Sequence, residues 1–164
     1  MSFDAYIKFE GIPGDSDDDK HKEWIAVLNY GIGVSMSSVN MAPGGASAGR
    51  PNLQDFHFTH FLDRASPKLF EAVCTGKHFD KVTVELCRSG GEKSKYMEYT
   101  LEDVMVTSVG RGGDAKQSEE FPIESVALNY AKIKMVYSVQ KRKGSSASGT
   151  VDFGWDRLAN KMAK

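Results

Sequence analysis

An excess of charge of one sign, cysteine and long apolar runs are all scarce in this sequence. Each shortage removes a class of function. Twenty-one basic and 22 acidic residues leave a formal net charge of −1, so the basic excess that accompanies nucleic-acid binding is absent. No apolar run approaches the ~18 to 20 residues that span a bilayer as a helix, so no membrane insertion is expected. The opening "MSFDAYIKFEGIPGD" carries Asp4 and Lys8 where a cleaved export signal needs an apolar core. Only two cysteines occur, Cys74 and Cys87. They fall in elements of different type without ligand or redox spacing, and read as free thiols in a reducing compartment.

What is present describes a globular chain, 40% hydrophobic and 26% charged. Its 164 residues suit a single domain, residues 1–164, that buries roughly 70% of its unfolded surface and needs no metal or disulfide to fold. Period-two patterns dominate, the signature of half-buried strands. Phe3, Ala5, Ile7 and Phe9 alternate with polar residues. "EWIAVLNYGIGVSM" reads as a second strand, with Trp24, Leu28, Tyr30 and Ile32 on a core face and Asn29, Gly31 and Gly33 on the other. Phe56 and Phe58 oppose His57, Thr59 and Phe61. Val82, Val84 and Leu86 point inward, against Lys81, Thr83 and Glu85. Gly90 and Gly91 turn into "KYMEYTLEDVMVTSV", which predicts a hairpin. "ESVALNYAKIKMVYSV" and a short "TVDFGWD" complete the strands.

One helix interrupts them. In "RASPKLFEAVCTGKHF" Ser66 is a candidate N-cap, Pro67 suits the first turn, and Gly76 suits the left-handed position after the helix. Leu69, Phe70, Val73 and Cys74 form the predicted apolar stripe. The pattern predicts a mainly β fold, a β-barrel or two packed antiparallel sheets, with one flanking α-helix. Residues 11–21, 35–52, 110–121 and 139–149 read as irregular; a loop as long as 35–52 is often functional.

Candidate chemistry fails on spacing. Gly44, four residues, Gly49 and Arg50 imitate a phosphate-binding loop, but Pro51 stands where a hydroxyl must meet magnesium, and a strand follows rather than a helix. Asp15, Asp17 and Asp19 imitate a calcium loop, yet Lys20 occupies the glycine place and Ala26 the final glutamate place. His57 and His60 are three apart, which on a strand sends them to opposite faces. Ser66 lacks a nucleophile elbow. No catalytic residue, cofactor-binding residue or metal ligand is assigned.

Several blocks do carry a resemblance: "DAYIKFEGIPGDS" at the start, "NLQDFHFTHFLD" before the helix, "ASPKLFEA" and "TGKHF" around it, then "GGE", "LEDV", "ESVALNYAKI" and "FGWD". In this order, over nearly the whole chain, they resemble the Hcp (haemolysin-coregulated protein) family of type VI secretion systems. Residues 110–121 are less glycine-rich than the family's loop, and the tail "DRLANKMAK" is individual.

The resemblance implies a phage-tail-tube-like β-barrel with a flanking helix and no enzymatic activity or cofactor. It implies a homohexamer whose rings stack into a tube inside a contractile sheath. A VgrG-like spike caps the tube, effector proteins travel with it, and it passes from the cytoplasm to the outside or into a target cell. On this reading the loop carrying Met41, Pro43, Gly44, Gly45, Ser47, Gly49 and Arg50 reaches the next ring. Asn29, Gly31 and Gly33 face the lumen. Two other readings stay open: a ligand-binding or enzymatic barrel using residues 35–52 as a lid, and a monomeric adaptor sharing the fold.

Overall fold

The computed structural model describes residues 2–36, 39–43, 45–90, 93–116, 121–140 and 149–163. The barrel is made by β1 (Phe3–Phe9), β2 (Ile25–Val27), β3 (Asn29–Gly31), β8 (Phe56–Phe61), β9 (His78–Arg88), β10 (Lys95–Gly112) and β11 (Ile123–Ser138). All pairings are antiparallel: β2 with β1, β1 with β9, β9 with β10, β10 with β11, β11 with β8 and β8 with β3. The circle closes because β2 and β3 are one bent strand in two parts. At Leu28 that strand leaves β1 for β8, and the Leu28 N–H donates to Thr59 O at 2.8 Å.

This hand-over corrects the single strand expected over residues 23–36. The bend reverses the alternation, so Ile25 is fully buried while Leu28 is 43% exposed. Leu28 therefore does not fill the core, and Trp24, Tyr30 and Ile32 are only half-buried. Elsewhere the two-residue period places most side chains as expected, although Phe3, at the start of β1, is 45% exposed. Ile7, Phe56, Phe58, Val82, Val84 and Leu101 all point into the barrel and are essentially inaccessible to water. Aromatic pairs cross the interior, with Phe9 and Phe58 6.4 Å and Phe56 and Tyr99 6.1 Å apart between ring centres. Each such large side chain contributes ~1.5 to 3 kcal/mol on burial.

The helix α1 (Ser66–Thr75) packs against β10. Gly76 closes it at φ +66°, in the left-handed region. Ser66 is not the N-cap. It lies inside the first turn, and its hydroxyl accepts the Asp63 N–H at 3.1 Å, while the Asp63 carboxylate accepts from Ala65 N–H at 2.9 Å. The buried stripe is Ser66, Leu69 and Ala72; Phe70 and Cys74 turn outward. Phe70 instead lies beneath the Arg111 guanidinium, 5.0 Å from the ring centre.

The stretch expected to be an irregular loop over 35–52 is largely strand: β4 (Val34–Met36) pairs with β7 (Pro51–Leu53), and β5 (Val39–Ala42) with β6 (Gly45–Ala48). Its small residues satisfy their backbone groups by pairing across the hairpin, an option that composition alone does not reveal. Facing this arm, β12 (Thr150–Asp156) pairs with the second half of β11, and the two-residue β13 (Lys161–Met162) pairs with the end of β12. Among the described residues no helix is long and apolar enough to cross a membrane.

Candidate assembly surfaces and buried charge clusters

The arm formed by β4 to β7 has an apolar groove at its base. Val34, Met36 and Leu53 of the arm face Met135, Phe153 and Trp155 of the β11–β12 pair across a cavity of ≈ 490 Å³. Val34 is 67% exposed and Phe153 42%, an apolar surface of the kind that marks association. Beside it, β12 is paired on one edge with β11 throughout, but β13 covers only its last residues. The backbone of Thr150–Phe153 is left as an open sheet edge among the described residues. Such an edge invites a further strand.

Of the residues assigned to ring stacking, Gly44 lies outside the described residues, Met41 is in β5, and Gly45 and Ser47 are in β6. Pro43 is exposed at the hairpin end, and Gly49 lines the groove. Arg50 is held at the arm's base: its guanidinium donates to Arg157 O at 2.6 Å. Arg157 in turn donates to Tyr130 O at 3.0 Å and stacks 5.2 Å from the Tyr130 ring centre. The arm is thereby tied to the turn between β12 and β13.

The three lumen candidates lie close together. In β3, Asn29 pairs with Thr59 and Gly31 with His57. This face is opposite to the Tyr30–Phe58 pair that points at the core. A Cβ on Gly31 would come within 2.3 Å of His57 Nε2, and one on Gly33 within 2.8 Å of Gln54 Oε1. The outer face of this strip is polar. Asp55, in the link preceding β8, accepts from Thr107 Oγ at 3.0 Å and from Asn129 Nδ2 at 2.9 Å.

Two buried charge clusters have no local sequence signature, because each joins residues 64 positions apart. In the first, His60 and Glu124 are both wholly inaccessible and lie 2.8 Å apart. Arg111 donates to the other Glu124 oxygen and to Ser66 O, so the cluster joins α1 to the ends of β10 and β11. His60 Nδ1 has no hydrogen-bond partner; Asp63 Oδ2, at 3.7 Å, acts on it as a charge only. Burial pushes the His60 pKa down, but the Asp63 and Glu124 carboxylates outweigh it, and it sits above its ordinary value.

The second cluster lies beneath the loop of residues 13–24. The loop closes on itself through Gly14 N–H to Glu23 O at 2.7 Å and Ser16 N–H to Trp24 O at 3.0 Å. His21, 2% exposed, is held by Asp18 Oδ2 at 2.7 Å and Glu85 Oε2 at 2.6 Å. Lys93 reaches Asp18 at 2.6 Å and Asp4 at 3.2 Å. The Lys93 and His21 hydrogen bonds hold the Asp18 pKa down at about 2. The thiol of Cys87 lies 3.9 Å from His21 Nε2. Burial, then the Glu85 and Asp18 carboxylates, push its pKa up, which disfavours the thiolate. The acidic run is therefore partly committed to internal pairs, including Asp15 with Arg64 at 2.7 Å. Both cysteines are free thiols, with Cys74 exposed and Cys87 buried.

Among the described residues the surface thus offers an open strand edge beside an apolar groove. Comparison with known proteins identifies the family. Residues 6–137 match the model of the family described as type VI secretion system effector, Hcp. Protein hcp1 of Pseudomonas aeruginosa is 36% identical over 164 residues, covering 99% of this chain and 100% of that protein. A solved type six secretion system protein superposes with a TM-score of 0.91 at 32% identity, over 99% of this chain and 100% of that one. Hcp1 from Salmonella typhimurium superposes with 0.83, at the same identity and coverage. The chain belongs to the Hcp family of type VI secretion proteins.

Proposed function

We propose that this chain is a structural subunit of the secretion tube. It forms a homohexameric ring whose rings stack and carry effectors. It works with the sheath and a VgrG-like spike, and is itself expelled from the cytoplasm. The observation that carries the reading is the pairing of an open β12 edge with an apolar groove at the base of a β arm, both on one side of the barrel. A neighbouring subunit that adds to that edge and fills that groove would cover surface a monomer leaves in water. The polar strip of Asn29, His57 and Asp55 suits a lumen through which cargo must pass without sticking. A lid over a catalytic pocket is the weaker reading, because the 35–52 segment is paired as a hairpin and tied down through Arg50.

Electron microscopy of the purified chain tests this. Wild-type protein should give rings with a central hole and short stacks. Deletion of Pro43 to Ala48 should keep the rings and abolish stacking and secretion. Stacked tubes formed by the deletion variant would remove the arm from the mechanism.

A further inference from the structure

We propose that His21, Glu85 and Cys87 form a zinc(II) site under the loop of residues 13–24, with Asp18 as the carboxylate that orients the histidine. The three donor atoms all lie within 4.8 Å of one another. Glu85 and Cys87 are two apart on β9 and share the face that points away from the core. The loop folds over that face, which is why an outward-pointing thiol is only 1% exposed. His21 descends from the loop between them, with Nε2 2.6 Å from Glu85 Oε2 and 3.9 Å from Cys87 Sγ. Tetrahedral zinc with bonds of ~2.0 to 2.3 Å sets its donor atoms roughly 3.4 to 3.6 Å apart. Relative to His21 Nε2, the thiol therefore needs to close by a few tenths of an ångström, and the carboxylate to open by less than one by side-chain rotation.

The surroundings are those of a metal-binding histidine. Asp18 Oδ2 accepts from Nδ1–H at 2.7 Å, which leaves Nε2 as the ring nitrogen turned toward Glu85 and Cys87. Tyr6 stacks on the imidazole at 4.2 Å with planes 6° apart, and Trp24 meets it edge-on at 4.9 Å. The ring has little freedom left to lose. The charges also close: a dication with one thiolate and one carboxylate is neutral, and Lys93 already balances Asp18 at 2.6 Å. Lys95 lies 3.4 Å from Glu85 Oε1, the oxygen turned away from the histidine contact. Imidazole with thiolate selects zinc over the hard cations calcium and magnesium. Water completes the fourth position. Binding displaces the thiol proton and the proton that Nε2 and Glu85 share in the metal-free protein, and it fastens the loop to β9. The sequence offered no such site, because His21 stands 64 and 66 residues from its partners.

The test uses the full chain, stripped with a chelator, loaded with zinc(II) or cobalt(II), and passed through a desalting column. Wild type should retain one equivalent of zinc per chain, and the cobalt form should show the intense visible bands of tetrahedral coordination with a thiolate charge-transfer band. Cys87→Ala should lose the charge-transfer band and the affinity. Asp18→Asn should weaken binding by about 10- to 100-fold, and Cys74→Ala should bind as wild type. Glu85→Gln, nearly isosteric, carries the same expectation as Cys87→Ala and decides the matter if the alanine variant does not fold. A wild type that retains no stoichiometric zinc and gives an octahedral cobalt spectrum overturns the proposal. So does a folded Glu85→Gln or Cys87→Ala that binds as tightly as wild type.

Discussion

His60 Nε2 and Glu124 Oε1 lie 2.8 Å apart, and neither side chain has any exposed surface. Two ionisable groups taken wholly out of water hold each other in place, with Arg111 completing Glu124 from the other side. Desolvation makes such a pair a weak source of stability as a whole, but removing one member strands the others. Glu124→Ala should therefore cost about 3 to 5 kcal/mol. Adding His60→Ala should cost less than the sum of the two single changes. Urea unfolding of the two single variants and the double variant, at one fixed protein concentration, measures this; strict additivity would show the pair is not coupled.

The same histidine gives the fold a pH dependence of definite sign. Its pKa is raised above 6.5 in the folded chain, so the native state holds its proton more firmly than the unfolded state does. The resulting stabilisation is complete below pH 6.5 and disappears as pH rises through the folded value. His60→Gln should flatten the loss of stability above pH 6.5. Parallel pH profiles for variant and wild type would contradict the assignment.

Asp18 acts at the other end of the scale and with the opposite sign. Its pKa is lowered from 3.8 to about 2, so its contribution is present above pH 3.8 and is lost as pH falls toward 2. Acid unfolding followed by the fluorescence of Trp24, which packs against His21, should be shallower in this interval for Asp18→Asn. An unchanged acid limb would detach Asp18 from the cluster.

Substitutions at Gly14 and Gly31 separate folding from the proposed lumen role. A Cβ on Gly14 would stand 2.5 Å from the Trp24 backbone oxygen, which cannot move without opening the loop. Gly14→Ala should therefore destabilise by about 1 to 3 kcal/mol. The nearest atoms to a Cβ on Gly31 belong to the ring of exposed His57, which can swing aside. Gly31→Leu should fold near normally and retain less cargo in a co-purification assay. A misfolded Gly31→Leu, or one with full retention, would remove Gly31 from the lumen wall.

The barrel was legible in the sequence because its strands obey a two-residue period that burial enforces. Phe56, Phe58, Val82 and Val84 all fall where that period puts them. Breaks in the period were not legible. The bend at Leu28 depends on β1 and β8 competing for one strand, and the arm over 34–53 depends on backbone pairing between residues with little side-chain signal. The β13 strand is too short to have a period at all. The helix was recognised from Pro67 and Gly76, yet its first turn is organised by Asp63, upstream of the residue expected to cap it. The two histidine clusters were invisible for a different reason: they are made by tertiary proximity across 64 residues, and no local spacing encodes that.

The mass of the purified chain in solution tests the central claim most directly. Sedimentation equilibrium across micromolar concentrations should give six times the 18.0 kDa chain, about 108 kDa, or multiples of it where rings stack. A single species at 18.0 kDa throughout that range would contradict the account.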